Sequence, residues 1–244
     1  MLAFQQSAEL GYRYFETDLH LSADGVLMLF HDDTLDRTTD GSGPVNSYTA
    51  AELQGFDAAF RFGSDRGWPY RGQGVTIPTL EEVMTSFPDA SFTLELKQAG
   101  MGAPLVQFIE QHSLWDRVMV AGYADEWVKT VRRLSEGRVP TSSPRHETLL
   151  FWLFSRVGVG FRIRADALQV PVTHNNITVV DRRFVQAAHR AGKQVHVWTI
   201  NQPHEMHRLL DLGVDGLMSD VPDVLLEVFA QRGAGGPHHP RTGK

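Results

Sequence analysis

Glu16 and Asp18 stand two apart in a run that reads as a β-strand, so both side chains fall on one face of it. Asp24-Gly25 follows as a tight-turn signal between apolar runs. If it closes a two-residue hairpin loop, residues whose numbers sum to 49 lie opposite one another. Asp18 then faces His31, and Glu16 faces Asp33. Carboxylates this close raise one another's pKa unless a cation neutralises them, and a hard divalent cation held by oxygen ligands is the natural answer. Glu95, near the end of a predicted strand over 92–96, could supply a third carboxylate, with Lys97 on the same face beside any bound anion. Each feature also has a plainer reading. Two acids on one strand face can be a solvated edge, His31 a surface or core histidine, and Glu95 with Lys97 an ordinary ion pair.

The elements that must position these residues alternate in α/β fashion. A leading amphipathic helix ends at Gly11, and a strand covers 12–21 with a hairpin partner over 26–30. Residues 32–75 show little periodicity and read as a long functional loop with a short helix near 49–53. Thr79 caps a helix over 80–87, with Glu82 completing a capping box. Strands over 92–96, 117–121, 138–142, 167–170, 194–200 and 215–219 then alternate with helices over 104–112, 126–134, 147–155, 181–191, 203–211 and 221–231. Repeated βα units imply a parallel sheet with right-handed crossovers. Seven such strands and an orphan leading helix predict a TIM (β/α)8 barrel lacking its first strand. An open doubly wound sheet is the alternative, but no Gly-rich nucleotide fingerprint follows the early strands. The organisation expected is one barrel domain over 1–232, an insertion at about 32–75, and a disordered Gly/Pro/His-rich tail over 233–244.

Composition limits the partners. With 42% apolar and 21% charged residues, the 244-residue chain can bury a large core. A net charge of -6 leaves no basic excess to neutralise a nucleic acid. With no cysteine, disulfides, thiolate nucleophiles and Cys-type zinc sites are excluded. No apolar run reaches transmembrane length, and the start carries no secretion signal, so no stable membrane insertion and a cytoplasmic location are expected. The longest apolar run, 149–154, is expected to pack against the barrel wall, the alternative being contact with a lysolipid substrate. Nothing here sets an oligomeric state.

Several motifs, in one order from end to end, resemble the glycerophosphodiester phosphodiesterases. They are Glu16-Thr17-Asp18, then Asp24-Gly25, then Phe30-His31-Asp32-Asp33-Thr34-Leu35-Asp36-Arg37-Thr38-Thr39-Asp40-Gly41-Ser42-Gly43. Ile77-Pro78-Thr79-Leu80-Glu81-Glu82 and Leu94-Glu95-Leu96-Lys97 follow. Val195-His196-Val197-Trp198-Thr199-Ile200-Asn201 and Gly213-Val214-Asp215-Gly216-Leu217-Met218-Ser219-Asp220 complete the set. The stretch from His31 to Gly43 is the most specific, and the resemblance lapses only in the tail and from about Pro140 to Arg164.

The resemblance implies a barrel of the phospholipase C-like phosphodiesterase type with an insertion after the second strand. It implies one divalent ion, Ca2+ or Mg2+, held by Glu16, Asp18 and Glu95. His31 would be one of two acid/base groups, Lys97 would line the phosphate site, and Trp198 would lie near the substrate. Trp198 can equally be a core or rim residue, and His196 is read as packing. The substrate implied is a small-molecule or lysolipid phosphodiester, cleaved to glycerol phosphate and an alcohol. Attack would come from water or from the substrate's own glycerol hydroxyl. One departure stands out: the family opens with a strand ending in His-Arg-Gly, and here the first helix is present without that strand. Met1 is therefore expected to be an internal methionine, and the chain as written to be impaired. Two rivals stay open, a non-catalytic phosphodiester-binding protein and a phosphatidylinositol phospholipase C-like lyase. The carboxylate trio speaks against the second.

Overall fold

A computed structural model describes residues 1–158 and 160–233, so the predicted tail lies outside the described residues apart from Gly233. The elements run α1 (Leu2–Glu9), β1 (Tyr14–Leu21), β2 (Leu27–Leu29), α2 (Ala50–Gly55), α3 (Leu80–Ser86), β3 (Ser91–Leu96), α4 (Gly102–Gln111), β4 (Val118–Gly122) and α5 (Asp125–Leu134). They continue with α6 (Arg145–Val157), β5 (Ala167–Pro171), β6 (Thr173–His174), β7 (Ile177–Thr178), α7 (Arg182–Arg190), β8 (Gln194–Trp198), α8 (Pro203–Leu212), β9 (Gly216–Leu217) and α9 (Pro222–Gln231).

β1, β3 and β4 pair in parallel, as do β5, β8 and β9. The two sheets meet through single parallel bridges, Val120 to Thr141 and Ser142 to Ala167. The strand predicted over 138–142 shrinks to these bridges because Pro140 has no N–H to donate. Its carbonyl still accepts from Val120 N at 2.9 Å. Seven parallel strand positions thus follow one another around a TIM-type barrel. Among the described residues no strand joins β9 to β1. On that side the Tyr12 hydroxyl donates to the Pro222 carbonyl at 2.8 Å.

The hairpin register differs from the expected one. Leu19 pairs with Leu29, His20 with Met28 and Leu21 with Leu27. Ser22 N donates to Val26 O at 3.0 Å, closing a three-residue loop over 23–25 in which Gly25 takes φ +82°. A two-residue type I′ turn would need positive φ at Asp24 as well. The register therefore moves by one residue. Asp18 lies opposite Phe30, whose N–H donates to the Asp18 carbonyl at 3.1 Å, and not opposite His31. Glu16 and Asp33 do not form a pair. The two-residue turn occurs elsewhere, between β6 and β7, where Asn175 and Asn176 take φ of 46° and 63°. The Asn-Asn dipeptide was the available signal for this unpredicted hairpin.

Two apolar cores flank the barrel. One joins Leu19, Phe92, Leu94 and Leu96 to Leu80, Val83 and Leu105 of the covering helices. The other joins Leu168, Val195 and Val197 to Phe184, Val185, Met206 and Leu209. A third, smaller cluster of Met28, Leu35, Val45, Leu53 and Ile77 gives the irregular stretch after β2 its own anchor. Capping boxes at Thr49/Glu52 and Thr79/Glu82 fix the starts of α2 and α3. Inside the barrel, His196 is 5% exposed and contacts Gln169 and Gln194. Desolvation holds its pKa below the usual imidazole range. Gly216 is required opposite it, since a Cβ there would come within 2.9 Å of the ring.

The expectation that 149–154 packs on the barrel wall fails for three of its six residues. Phe151 is buried against Phe184, but Leu149, Leu150 and Leu153 are 50%, 43% and 47% exposed. One helix turn offers a single side to the core, and a run of apolar residues longer than that side must turn some outward.

Candidate active site

Parallel pairing of β1 with β3 places Asp18 beside Glu95, and the strand period of two brings Glu16 onto the same face. Glu16, Asp18 and Glu95 each offer a carboxylate oxygen, all within 4.8 Å of one another. Lys97, just past the end of β3, reaches back into this group. Its Nζ is 2.8 Å from Asp18 Oδ1 and 3.0 Å from Glu95 Oε2. Burial pulls the ammonium pKa down, but the hydrogen bond and charge of Asp18 and the charge of Glu95 outweigh it, and the net shift is upward.

Glu16 shows what three acids at one point do without a full counter-charge. Its pKa is pushed up to about 8, by desolvation first and then by the charges of Asp18 and Glu95, with Lys97 opposing. Water still reaches the side chain, so the repulsion is the part a cation would relieve. All three donors are hard oxygens, and one ammonium already sits between two of them. That donor set fits a hard divalent cation such as Ca2+ or Mg2+.

His31 lies beyond the β2 ladder with its side chain 69% exposed, and its Nδ1 is 2.6 Å from Asp32 Oδ1. Arg37 grips the same carboxylate with two hydrogen bonds, from Nε at 2.5 Å and Nη2 at 2.9 Å. That grip pulls Asp32 down to about 2, despite some desolvation, with His31 adding to the effect. Asp32 therefore stays ionised and holds one face of the imidazole. The sequence reading missed Asp32 and Arg37 as positioning residues, although both lie in the His31-to-Gly43 motif. It also missed Asp220, whose charge reaches Glu16 and whose carboxylate accepts from Asn201 Nδ2 at 2.9 Å. Trp198 ends β8 and is 42% exposed. Among the described residues neither His31 nor Trp198 makes a polar contact with the carboxylate trio.

Residues 1–224 match the model of the glycerophosphoryl diester phosphodiesterase family. A probable glycerophosphodiester phosphodiesterase of Mycobacterium tuberculosis is 34% identical over 240 residues, covering 96% of this chain and 85% of that protein. The chain belongs to the glycerophosphoryl diester phosphodiesterase family. As a member it is a phosphoric diester hydrolase. Solved structures agree in fold. The crystal structure of a glycerophosphoryl diester phosphodiesterase domain from M. tuberculosis superposes with a TM-score of 0.81 at 21% identity, covering 94% of this chain and 92% of that one. An Oleispira antarctica phosphodiesterase, solved with the product sn-glycerol-3-phosphate, gives 0.73 at 24% identity, covering 93% and 89%. No described helix is long and apolar enough to cross a membrane.

Proposed function

We propose that the chain hydrolyses glycerophosphodiesters to glycerol phosphate and an alcohol, with Glu16, Asp18 and Glu95 holding one Ca2+ or Mg2+ ion. The observation that carries this reading is the meeting of the three carboxylates with Lys97 at the end of β1 and β3. A bound divalent ion would supply charge to offset that building up on the phosphoryl oxygens. Lys97, drawn in beside Asp18 and Glu95, would line the phosphate site and could meet a phosphate oxygen of the substrate. Asp32 accepts from Nδ1–H of His31, which leaves Nε2 to take a proton from the attacking oxygen or hand one to the leaving alkoxide. Trp198 forms part of the rim against which the alcohol moiety rests. The product bound to the Oleispira antarctica phosphodiesterase supports a small glycerol phosphate end to the substrate.

The test measures glycerol phosphate released from glycerophosphocholine. A chelator should abolish release and Ca2+ or Mg2+ should restore it. Asp18→Ala should lower kcat/KM by about 10³-fold, a loss of several kcal/mol of charge stabilisation. Full activity in the chelated protein would remove the cation from the mechanism.

A further inference from the structure

The end of the barrel that holds Lys97 continues onto the next two strand ends. Glu95 pairs with Ala121 and Leu96 with Gly122, so Tyr123 comes level with Lys97 one residue beyond β4. The bridge of Val120 to Thr141 carries the same register to the next strand position, which brings residues 143–145 alongside. Arg145 N donates to the Tyr123 carbonyl at 3.4 Å, and its guanidinium lies over the Tyr123 ring, 5.4 Å from the centroid. Tyr123 is itself 60% exposed. All these segments leave the C-terminal ends of their strands, where the loops of a TIM barrel build its active site.

The fold makes little use of Arg145. Among the described residues it forms no ion pair, and its side chain donates no hydrogen bond. The acids around it are taken. Asp125 pairs with His146 Nδ1 at 2.8 Å, and Glu147 pairs with Arg132 at 2.9 Å. Glu147 also accepts from the backbone N–H groups of Arg164 and Ala165. A cation in the first turn of α6 opposes the helix dipole, and burial does not hold it, since Arg145 is exposed. A cation seated on an aromatic ring, without an acid, is left to meet an anion from outside the chain.

We propose that Arg145 is a specificity-determining residue, which binds an anionic group such as a carboxylate carried by the alcohol half of the substrate. The proposal rests on the hydrolytic reading of the site, in which Lys97 lines the phosphate. Arg145 leaves the barrel wall two strand spacings from Lys97, about 10 Å, which places its charge beyond that phosphate. The glycerol end of the substrate is uncharged, so a second anion belongs to the alcohol. The same geometry disfavours a quaternary ammonium head, because the face of Tyr123 that could receive it already carries a guanidinium.

The experiment compares two diesters that differ by one carboxylate, glycerophosphoserine and glycerophosphoethanolamine. With Ca2+ or Mg2+ present, kcat/KM should be about tenfold higher on glycerophosphoserine, the worth of one charge-assisted hydrogen bond at a partly exposed site. Arg145→Gln should bring the ratio of the two to about one, through KM for glycerophosphoserine rather than kcat. Arg145→Lys keeps the charge without the planar fork and should give an intermediate ratio. Equal kcat/KM of the wild-type protein on both diesters overturns the proposal. So does a ratio that persists in Arg145→Gln while both rates fall, which would make the arginine structural. Turnover of neither diester would count against the hydrolytic reading, and calorimetric titration with O-phosphoserine and O-phosphoethanolamine then decides the arginine. About tenfold tighter binding of O-phosphoserine, lost in Arg145→Gln, is expected there, and equal binding overturns the proposal.

Discussion

The two sides of the barrel treat charge in opposite ways. Along β1 and β3 the acids turn to one point, where Glu16, Asp18 and Glu95 crowd within 4.8 Å and Lys97 is drawn in among them. Around α6 and α7, among the described residues, Arg156 is the one arginine or lysine that pairs with an acid, Asp181, and leucines that the core does not take stand exposed. The first arrangement costs stability unless a cation completes it, which is the mark of a site shaped for binding. The second leaves folding almost untouched, because the same helix is anchored from its other side, by buried Phe151 and Ser155, part-buried Trp152, and the ion pairs of Glu147 with Arg132 and Arg156 with Asp181. One side of the protein concentrates its chemistry, and the other presents a surface.

The sharpest way to break the comparison is at His31. His31→Ala should lower kcat about 10²–10⁴-fold, the usual share of one general acid/base, and leave cation binding by calorimetry unchanged. If kcat survives, the proton transfer does not pass through this imidazole. Arg37→Ala tests the same group at one remove. By freeing Asp32 it should cost less than His31→Ala and should shift the pH profile of kcat rather than the cation affinity.

A smaller effect follows from Glu16. In the cation-free protein its raised pKa means that a proton must leave before a cation can use both oxygens. Apparent affinity for Ca2+ or Mg2+ should therefore weaken about tenfold for each pH unit below about 8 and level off above it. Stability carries the matching sign. Between 4.5, the ordinary value of a glutamate, and about 8, the folded chain holds a proton that the unfolded chain has released. The cation-free protein should thus lose thermal stability as pH rises through that window, and a saturating cation should flatten the loss. Calorimetric titrations across this range decide the matter; a flat affinity would separate Glu16 from the ligand set.

The smallest effect belongs to the other side. Leu153→Gln should change stability by no more than about 0.5 kcal/mol in a denaturant titration, because the side chain is already half in water. A loss of several kcal/mol would show that the stripe is packed in solution and that the two sides of the barrel do not differ in this way.

Strand alternation and helix capping were legible in the sequence because both are local. Thr79 and Glu82 sit three residues apart and cap the same helix wherever it lies, and Glu16 and Asp18 must share a face once the segment is extended. The order of βα units carried the barrel, since right-handed crossovers leave few alternatives. The approach of Glu95 to Asp18 could be expected, but it needed the parallel register of β1 on β3, which 70-odd intervening residues do not encode locally. The register at β2 was decided by the φ of one residue, Asp24, and moved His31 away from Asp18. The expectation of wall packing for 149–154 held at Phe151 and failed at Leu149, Leu150 and Leu153 for a related reason. Hydrophobicity is a property of each residue, whereas burial depends on how much of a helix its neighbours can cover, and only the assembled barrel sets that area.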